Sequence, residues 1–301
     1  MARKNGKDLN KQASALIKSR ISIRNPNDAR TSNPGRYKSL QSIRSIKDTS
    51  YALAKVAKEL GVKRIKHITP EMALEYLNMK RDNYASQKSL DRDRKALSIA
   101  LQCEFPRQKA ISDTELKSRA YTRNQVDEIC KFMREKNALA TQIAYYSGLR
   151  AHELITICRA SEGKKTASRS WSEERFSGRV GDLYLVTGKG GLRREVLLPT
   201  SLVDKLEARR LTAPRLRTDR QVRYTQYYDI GGGNALSKSF SDASVKALGF
   251  SNGLHGVRHS YAQERLDEIK IVFRCSHDDA RTILAEELGH FRGSITETYL
   301  R

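Results

Sequence analysis

Six residues of this chain are of types that could act together on a phosphate ester: Arg150, Lys189, His255, Arg258, His290 and Tyr299. Arg150 follows a Gly-Leu pair at a helix junction, where a side chain can point into a cleft. Glu153 lies three residues on, a spacing at which a carboxylate can brace the guanidinium. Lys189 stands between glycines at a hairpin tip. His255 and Arg258 are three apart and share a face if helical. His290 follows Gly289, just past an apolar helix. Tyr299 follows Ser294-x-x-Glu297, a capping-box pattern that places it on a short terminal helix. Guanidinium, ammonium and imidazole groups contact phosphate, and a tyrosine hydroxyl can attack it. Taken singly, each has an ordinary reading: a surface ion pair, a solvated turn lysine, a structural histidine, a core tyrosine. Only the set carries weight.

The composition favours a polyanionic partner. The 301 residues include 57 Lys and Arg against 34 Asp and Glu, a formal charge of +23. Such an excess does not suit an ordinary small-molecule enzyme, and nucleic acid is the commonest polyanion. With no 18-residue apolar run, lipidation signal or secretory leader, a membrane surface is the weaker rival, and a cytoplasmic, nucleoid-associated protein is expected. Residues 1–120 carry 27 basic and 12 acidic residues, and residues 121–301 carry 30 and 22. The N-terminal part is therefore the stronger partner for a phosphate backbone, which supplies affinity and salt dependence but no sequence reading. Cys103, Cys130, Cys158 and Cys275 lack C-x-x-C spacing, so reduced thiols are expected and a zinc site is not.

The elements that must position the six residues divide into three parts. Residues 1–38 read as a basic flexible arm, broken at Asn25-Pro26 and Asn33-Pro34-Gly35, with a short helix from Gln12 to Ile23. Residues 39–112 read as a small all-α domain. One helix carries Ile46, Tyr51, Leu53, Val56 and Leu60; a second opens at Thr69-Pro70-Glu71, with an N-cap, a first-position proline and an acid. A third, Ser86 to Leu101, sets Lys88, Arg92, Arg94 and Lys95 on a solvated face.

Residues 118–301 read as an α+β domain. Thr122-x-x-Gln125 is a capping box. A helix over 138–146 breaks at Ser147-Gly148-Leu149-Arg150, and another is expected from Ala151 to Ile157. Residues 161–178 form a polar loop whose Trp171 is either an anchor or a DNA-touching aromatic. Residues 183–187 and 194–199 make a hairpin around Gly188-Lys189-Gly190-Gly191. A helix over 201–210, a basic loop over 211–235 and a helix over 237–248 follow. The fold class expected is mainly α with a small antiparallel β-sheet.

The set resembles the catalytic boxes of the tyrosine recombinase (phage integrase) family. Ser147-Gly148-Leu149-Arg150-Ala151-His152-Glu153-Leu154 is similar to the first box. His255-Gly256-Val257-Arg258-His259-Ser260-Tyr261 is similar to the His-x-x-Arg-His box. Leu288-Gly289-His290, with Tyr299 nine residues after the histidine, is similar to the last. Lys189 is similar to the family's hairpin lysine. The resemblance covers residues 118–301 well and 39–112 loosely, as the helical core-binding, DNA-binding domain.

The resemblance implies a site-specific recombinase, an integrase or transposase of a mobile element. It would assemble as a tetramer on double-stranded DNA, exchange strands through a Holliday junction, and possess no cofactor or metal requirement. Accessory directionality factors are further partners of such enzymes. Tyr299 would be the nucleophile, forming a 3′-phosphotyrosine. Arg150 and Arg258 suit the non-bridging oxygens, with His290 donating a further bond there. Lys189 would protonate the leaving 5′-oxygen, His255 would assist proton transfer at the tyrosine, and Glu153 would act as a brace. His259 is read as structural. Residues 161–178 and 267–280 are extra length relative to the family. Family members often continue past the tyrosine into a tail that packs on a neighbour; this sequence ends at Arg301, so that coupling is not expected from it. Two other readings stay open: a type IB topoisomerase, which shares the chemistry without synapsis, and a DNA-binding regulator with an inert pocket.

Overall fold

The computed structural model describes residues 8–20, 22–23, 39–40, 43–84, 86–111, 117–188, 190–291 and 293–300. The chain divides into two compact units, 1–115 and 116–301. Lys189 and most of the N-terminal arm lie outside the described residues.

In the first unit, helix α1 (Leu9–Ser19) starts at Asp8, whose carboxylate accepts the Asn10 N–H at 2.9 Å. A short parallel pair, β1 (Ser22–Ile23) and β2 (Ser39–Leu40), precedes α2 (Ile43–Glu59). Helix α3 (Pro70–Lys80) begins as its sequence dictates: the Thr69 hydroxyl accepts the Met72 N–H at 3.3 Å and Pro70 fills the first turn. Helix α4 (Gln87–Leu101) completes the unit. Ile46, Leu53 and Val56 of α2 pack with Leu77, Leu90 and Leu97, whereas Tyr51 faces solvent.

Two details differ from the sequence reading. The first helix runs over 9–19 rather than 12–23, and its Ala13 and Ile17 are buried in this same core, so that segment is part of the unit rather than of a flexible arm. On α4, Lys88, Arg92 and Lys95 are exposed as expected, but Arg94 folds back to donate to the Phe105 carbonyl at 3.0 Å.

In the second unit, α5 (Arg123–Lys131) carries the full capping box between Thr122 and Gln125. Helix α6 (Glu135–Ser147) ends at Gly148 in the left-handed region, φ 61°. The helix expected over 151–157 is instead a single 3-10 turn, Glu153–Ile155. All three of its residues are buried, and consecutive inward side chains suit a turn entering a strand better than a one-faced helix. Strands β3 (Cys158–Arg159), β4 (Asp182–Thr187) and β5 (Arg193–Leu198) form an antiparallel sheet in that order, with Leu185 opposite Glu195 and Thr187 opposite Arg193. Helix α7 (Thr200–Glu207) follows.

The basic loop expected over 211–235 is largely a two-stranded ribbon, β6 (Arg210–Asp219) with β7 (Val222–Tyr228). Its turn places Arg220 and Gln221 at φ 50° and 68°. Hairpin turns of that shape usually advertise themselves with Asn-Gly or Asp-Gly, and here neither is present. Helices α8 (Gly233–Leu248), α9 (His255–Phe273), α10 (His277–Glu287) and α11 (Gly293–Thr296) lead to a final 3-10 turn, Glu297–Tyr299. Ser294 therefore lies inside the terminal helix rather than ahead of it, and the Glu297 carboxylate accepts from Arg281 at 2.9 Å. Residues 267–280 are the end of α9, a bend and the start of α10. The architecture is mainly α with small antiparallel β elements, the class expected from sequence.

Candidate active site

Gly148 starts the site. Its left-handed backbone stops α6, turns Leu149 into the core and leaves the Arg150 side chain partly exposed. A side chain there would collide with the Tyr261 ring, since a Cβ would lie 2.5 Å from its Cδ1. Glu153, wholly buried, accepts the Arg150 backbone N–H at 2.8 Å and the Arg150 Nη1 at 2.9 Å. The oxygen that takes the Arg150 N–H, Oε2, also accepts from Arg194 Nη2 at 2.9 Å and lies 3.8 Å from Arg258 Nη1. Burial alone would raise the Glu153 pKa, but Arg194, Arg150 and Arg258 outweigh it and hold the carboxyl well below the usual range. Three guanidinium groups thus face one carboxylate, which leaves the cluster with an excess of positive charge.

Arg258 sits in the first turns of α9 with no exposed surface. It donates to the carbonyls of Gly148 and Leu288, the latter at 2.6 Å, and approaches His290 Nε2 at 3.1 Å. Burial, then the charge of Arg150, pushes its pKa down. An anion arriving here would relieve both.

His290 follows Gly289, whose φ is 72°, at the end of α10. Its Nε2 lies 2.9 Å from Arg150 Nη2, and its Nδ1 lies 3.3 Å from the Thr296 hydroxyl. Guanidinium nitrogens only donate, so Nε2 accepts and Nδ1 carries the proton. Burial, then Arg258 and Arg150, lowers its pKa to about 2. In this arrangement the imidazole is neutral and accepts; the donor role expected from sequence needs an anion to take over the guanidinium hydrogen bonds.

Tyr299 is 8 % exposed. The His290 ring stacks on it at 5.2 Å, the rings of His259 and His255 lie at 4.9 and 5.3 Å, and the Arg258 guanidinium lies 5.3 Å from its centroid. Gln263 Nε2 donates to its backbone carbonyl at 3.1 Å. His255 keeps a solvent-exposed edge; the burial of its packed side and then the charge of Arg258 lower its pKa to about 4, with the exposed edge limiting the first effect. Arg150, Glu153, His255, Arg258, His290 and Tyr299 therefore converge in one place. Lys189 lies outside the described residues. The base of its hairpin is closed by the Gly188 N–H donating to the Leu192 carbonyl at 2.7 Å, and a Cβ on Gly188 would lie 3.2 Å from Glu153 Oε1.

Sequence reasoning missed three features of the site. His259, read as structural, packs directly on Tyr299. Arg194 joins the Glu153 cluster; the alternation of Arg194, Val196 and Leu198 on the inward side of β5 was the available signal. The third is the role of the two long segments. Trp171 anchors the 161–178 loop: its Nε1 donates to the Thr166 carbonyl at 3.0 Å and its ring meets Phe291 edge-on at 4.9 Å. The Ser172 and Phe176 N–H groups donate to Glu286 and Glu287, Gly178 abuts Val272, and Arg179 donates twice to Glu268. The loop is thus a strap across α9 and α10 whose Trp171 packs on Phe291, the residue following His290.

Solved structures share this architecture. XerH site-specific recombinase bound to difH, in a pre-cleavage complex, matches with a TM-score of 0.53 over 100 % of this chain and 94 % of its own, at 16 % identity. A lambda integrase tetramer bound to a Holliday junction matches at 0.55 over 99 % and 78 %, also at 16 % identity. The chain has the tyrosine-recombinase fold. A lambda integrase (75–356) dimer bound to a COC′ core site shares that tyrosine-recombinase fold at a TM-score of 0.54 over 86 % and 89 %, with 15 % identity. No family model matches the sequence, and no curated protein matches it. Among the described residues no helix is long and apolar enough to cross a membrane.

Proposed function

We propose that this chain is a site-specific DNA recombinase, the integrase or transposase of a mobile element, that cleaves and rejoins strands through a 3′-phosphotyrosine. The observation that carries the reading is the enclosure of Tyr299 by Arg258, His255 and His290, beside an Arg150 that retains access to solvent. A tyrosine held against two cationic forks is placed to attack an anionic phosphodiester.

In this reading Arg150 and Arg258 take the non-bridging oxygens, displacing His290 from its acceptor role, and His290 then offers a donor to the same group. Glu153 holds the two forks. The Tyr299 oxygen bonds to phosphorus, its proton passing toward His255, while the bond to the 5′-oxygen breaks and Lys189 supplies the proton to that leaving group. Rejoining reverses each transfer. The bond energy stays in the phosphotyrosine, so no nucleotide cofactor enters.

The cationic face of α4 (Lys88, Arg92 and Lys95) suits the phosphate backbone of duplex DNA, and the first unit is assigned as the core-binding domain. The lambda integrase tetramer on a Holliday junction supports the same assembly here, with accessory factors setting direction. A two-site recombination assay on DNA flanking the gene tests the reading. Recombinant product is expected; relaxation of single-site supercoiled DNA without product would make the chain a type IB-like topoisomerase, and binding without strand cleavage would make it a regulator.

A further inference from the structure

Arg194 takes no part in the chemistry just assigned, yet it is among the most deeply placed charged groups in the chain. Strand β5 alternates, with Arg194, Val196 and Leu198 turned inward. An arginine in such a position costs stability unless its charge and its donors are met. Arg194 is 1 % exposed, and its one hydrogen-bond partner among the described residues is Glu153, at 2.9 Å. Its Nε and Nη1 are buried without a partner among the described residues. A side chain chosen for packing would be an aliphatic one, as at Val196 and Leu198.

Its surroundings explain why an arginine stands there. Its Nη2 donates to the same Glu153 oxygen that receives the Arg150 backbone N–H. On another side its Cδ fills the space that a Cβ on residue 289 would occupy, 2.9 Å away, so the turn that delivers His290 closes only because Gly289 has no side chain. Its own strand is the second arm of the β4–β5 hairpin. One side chain therefore touches the brace of the Arg150 turn and the turn bearing His290, and shares a strand with the lysine hairpin.

We infer that Arg194 is a positioning residue, which fixes the Glu153 carboxylate and the Gly289–His290 turn against each other and so sets the spacing of the phosphate-facing groups. The inference rests on the proposed function of the pocket. Arg194 acts through Glu153: its hydrogen bond goes to that carboxylate, whereas Arg258 lies 5.3 Å from the Tyr299 ring centroid. Misplacement of a reacting group by about 1 Å costs roughly 10²-fold in rate, so loss of this contact is expected to fall on the chemical step.

The test uses the full chain, with Arg194→Met and Arg194→Lys, on a nicked duplex from DNA flanking the gene that traps the covalent adduct. Three quantities are read: the single-turnover rate of adduct formation at saturating DNA, the duplex affinity, and the thermal midpoint. For Arg194→Met the rate is expected to fall about 10–100-fold, with affinity within about twofold and the midpoint nearly unchanged, because burying a methionine there removes a desolvated charge. Arg194→Lys should recover part of the rate. Adding Glu153→Gln to Arg194→Met should cost less than the sum of the two single losses. An unchanged rate in Arg194→Met, or a rate that falls only in proportion to unfolded protein, overturns the inference while leaving the proposed function standing. If Arg194→Met does not fold, Arg194→Lys with Glu153→Gln decides by the same coupling. Absence of adduct from the unsubstituted chain overturns the proposed function, and the inference with it.

Discussion

The Nε2 atom of His290 accepts a hydrogen bond from Nη2 of Arg150 across 2.9 Å, joining side chains 140 residues apart in the sequence. A guanidinium cannot accept, so this contact fixes the imidazole as neutral.

That neutrality makes stability depend on pH. His290 has a pKa of about 2 in the fold because of burial and of Arg258 and Arg150; His259 has one of about 4 because of burial and of Arg119 and Arg258. Both lie below the unfolded value of 6.5. As pH falls below that value the unfolded chain takes up protons that the folded chain refuses, so stability is full above it and declines toward the folded values. Each histidine contributes up to about 1.4 kcal/mol per pH unit in that window. Thermal midpoints should fall from pH 7 to pH 5, and His259→Gln should flatten that dependence. A midpoint rising on acidification would contradict the neutral assignment.

Glu153 faces three guanidinium groups, and its removal leaves Arg194 and Arg258 buried without their carboxylate. Glu153→Ala should destabilise the chain by about 3–5 kcal/mol, the usual cost of breaking a buried pair. Urea unfolding measures it; a cost below about 1 kcal/mol would mean that the cluster relaxes freely.

Gly148 cannot take a side chain, for two separate reasons: its φ of 61°, and the Tyr261 ring 2.5 Å from the Cβ position. Gly148→Ala should lose about 2–4 kcal/mol from backbone strain and overpacking together. The same unfolding experiment reads it, and the neighbouring Leu149→Met supplies a milder comparison.

The strap over 161–178 gives a prediction about access. Trp171 and Arg169 both pack on Phe291, at 4.9 and 4.8 Å. Trp171→Ala removes an aromatic pair worth about 0.5–1.5 kcal/mol beyond its burial. Limited proteolysis should then cut within 161–178 faster than in the unsubstituted chain, and adduct formation should slow because the His290 turn loses its support. Equal proteolysis rates would show that the remaining contacts to Glu268, Glu286 and Glu287 hold the strap alone.

These features differ in how far the sequence reveals them. The Arg150, Arg258 and His290 boxes were legible only as a set, because in that order with Tyr299 they resemble the tyrosine recombinase boxes, and the structure brings all three together with Tyr299. Arg194 was hidden by its strand, where one arginine among Val196, Leu197 and Leu198 looks like a solvated position until the alternation is counted. The β6–β7 ribbon was hidden for the opposite reason: much of it is exposed, so no apolar period marks it, and Arg220 and Gln221 adopt positive φ without the glycine or asparagine that announces such a turn. Of the strap, only the anchor reading of Trp171 was open to the sequence, because polar side chains and backbone N–H groups pairing with Glu268, Glu286 and Glu287 leave no periodic trace. The extra length at 161–178 and at 267–280, which as sequence were separate irregularities, meet at Gly178 and Val272.

The most direct test of the account is the covalent trap. A duplex carrying the crossover site and nicked just 3′ to the scissile phosphate loses a short 5′-hydroxyl fragment when that same strand is cleaved, so the phosphotyrosine formed on the nicked strand cannot be resealed. The unsubstituted chain should accumulate a denaturation-resistant protein–DNA adduct, with the DNA attached through its 3′ end to the peptide containing Tyr299, and Tyr299→Phe should give none while binding the same duplex. An adduct that persists in Tyr299→Phe, or one attached through a 5′ phosphate, would contradict the assignment of Tyr299 as the nucleophile.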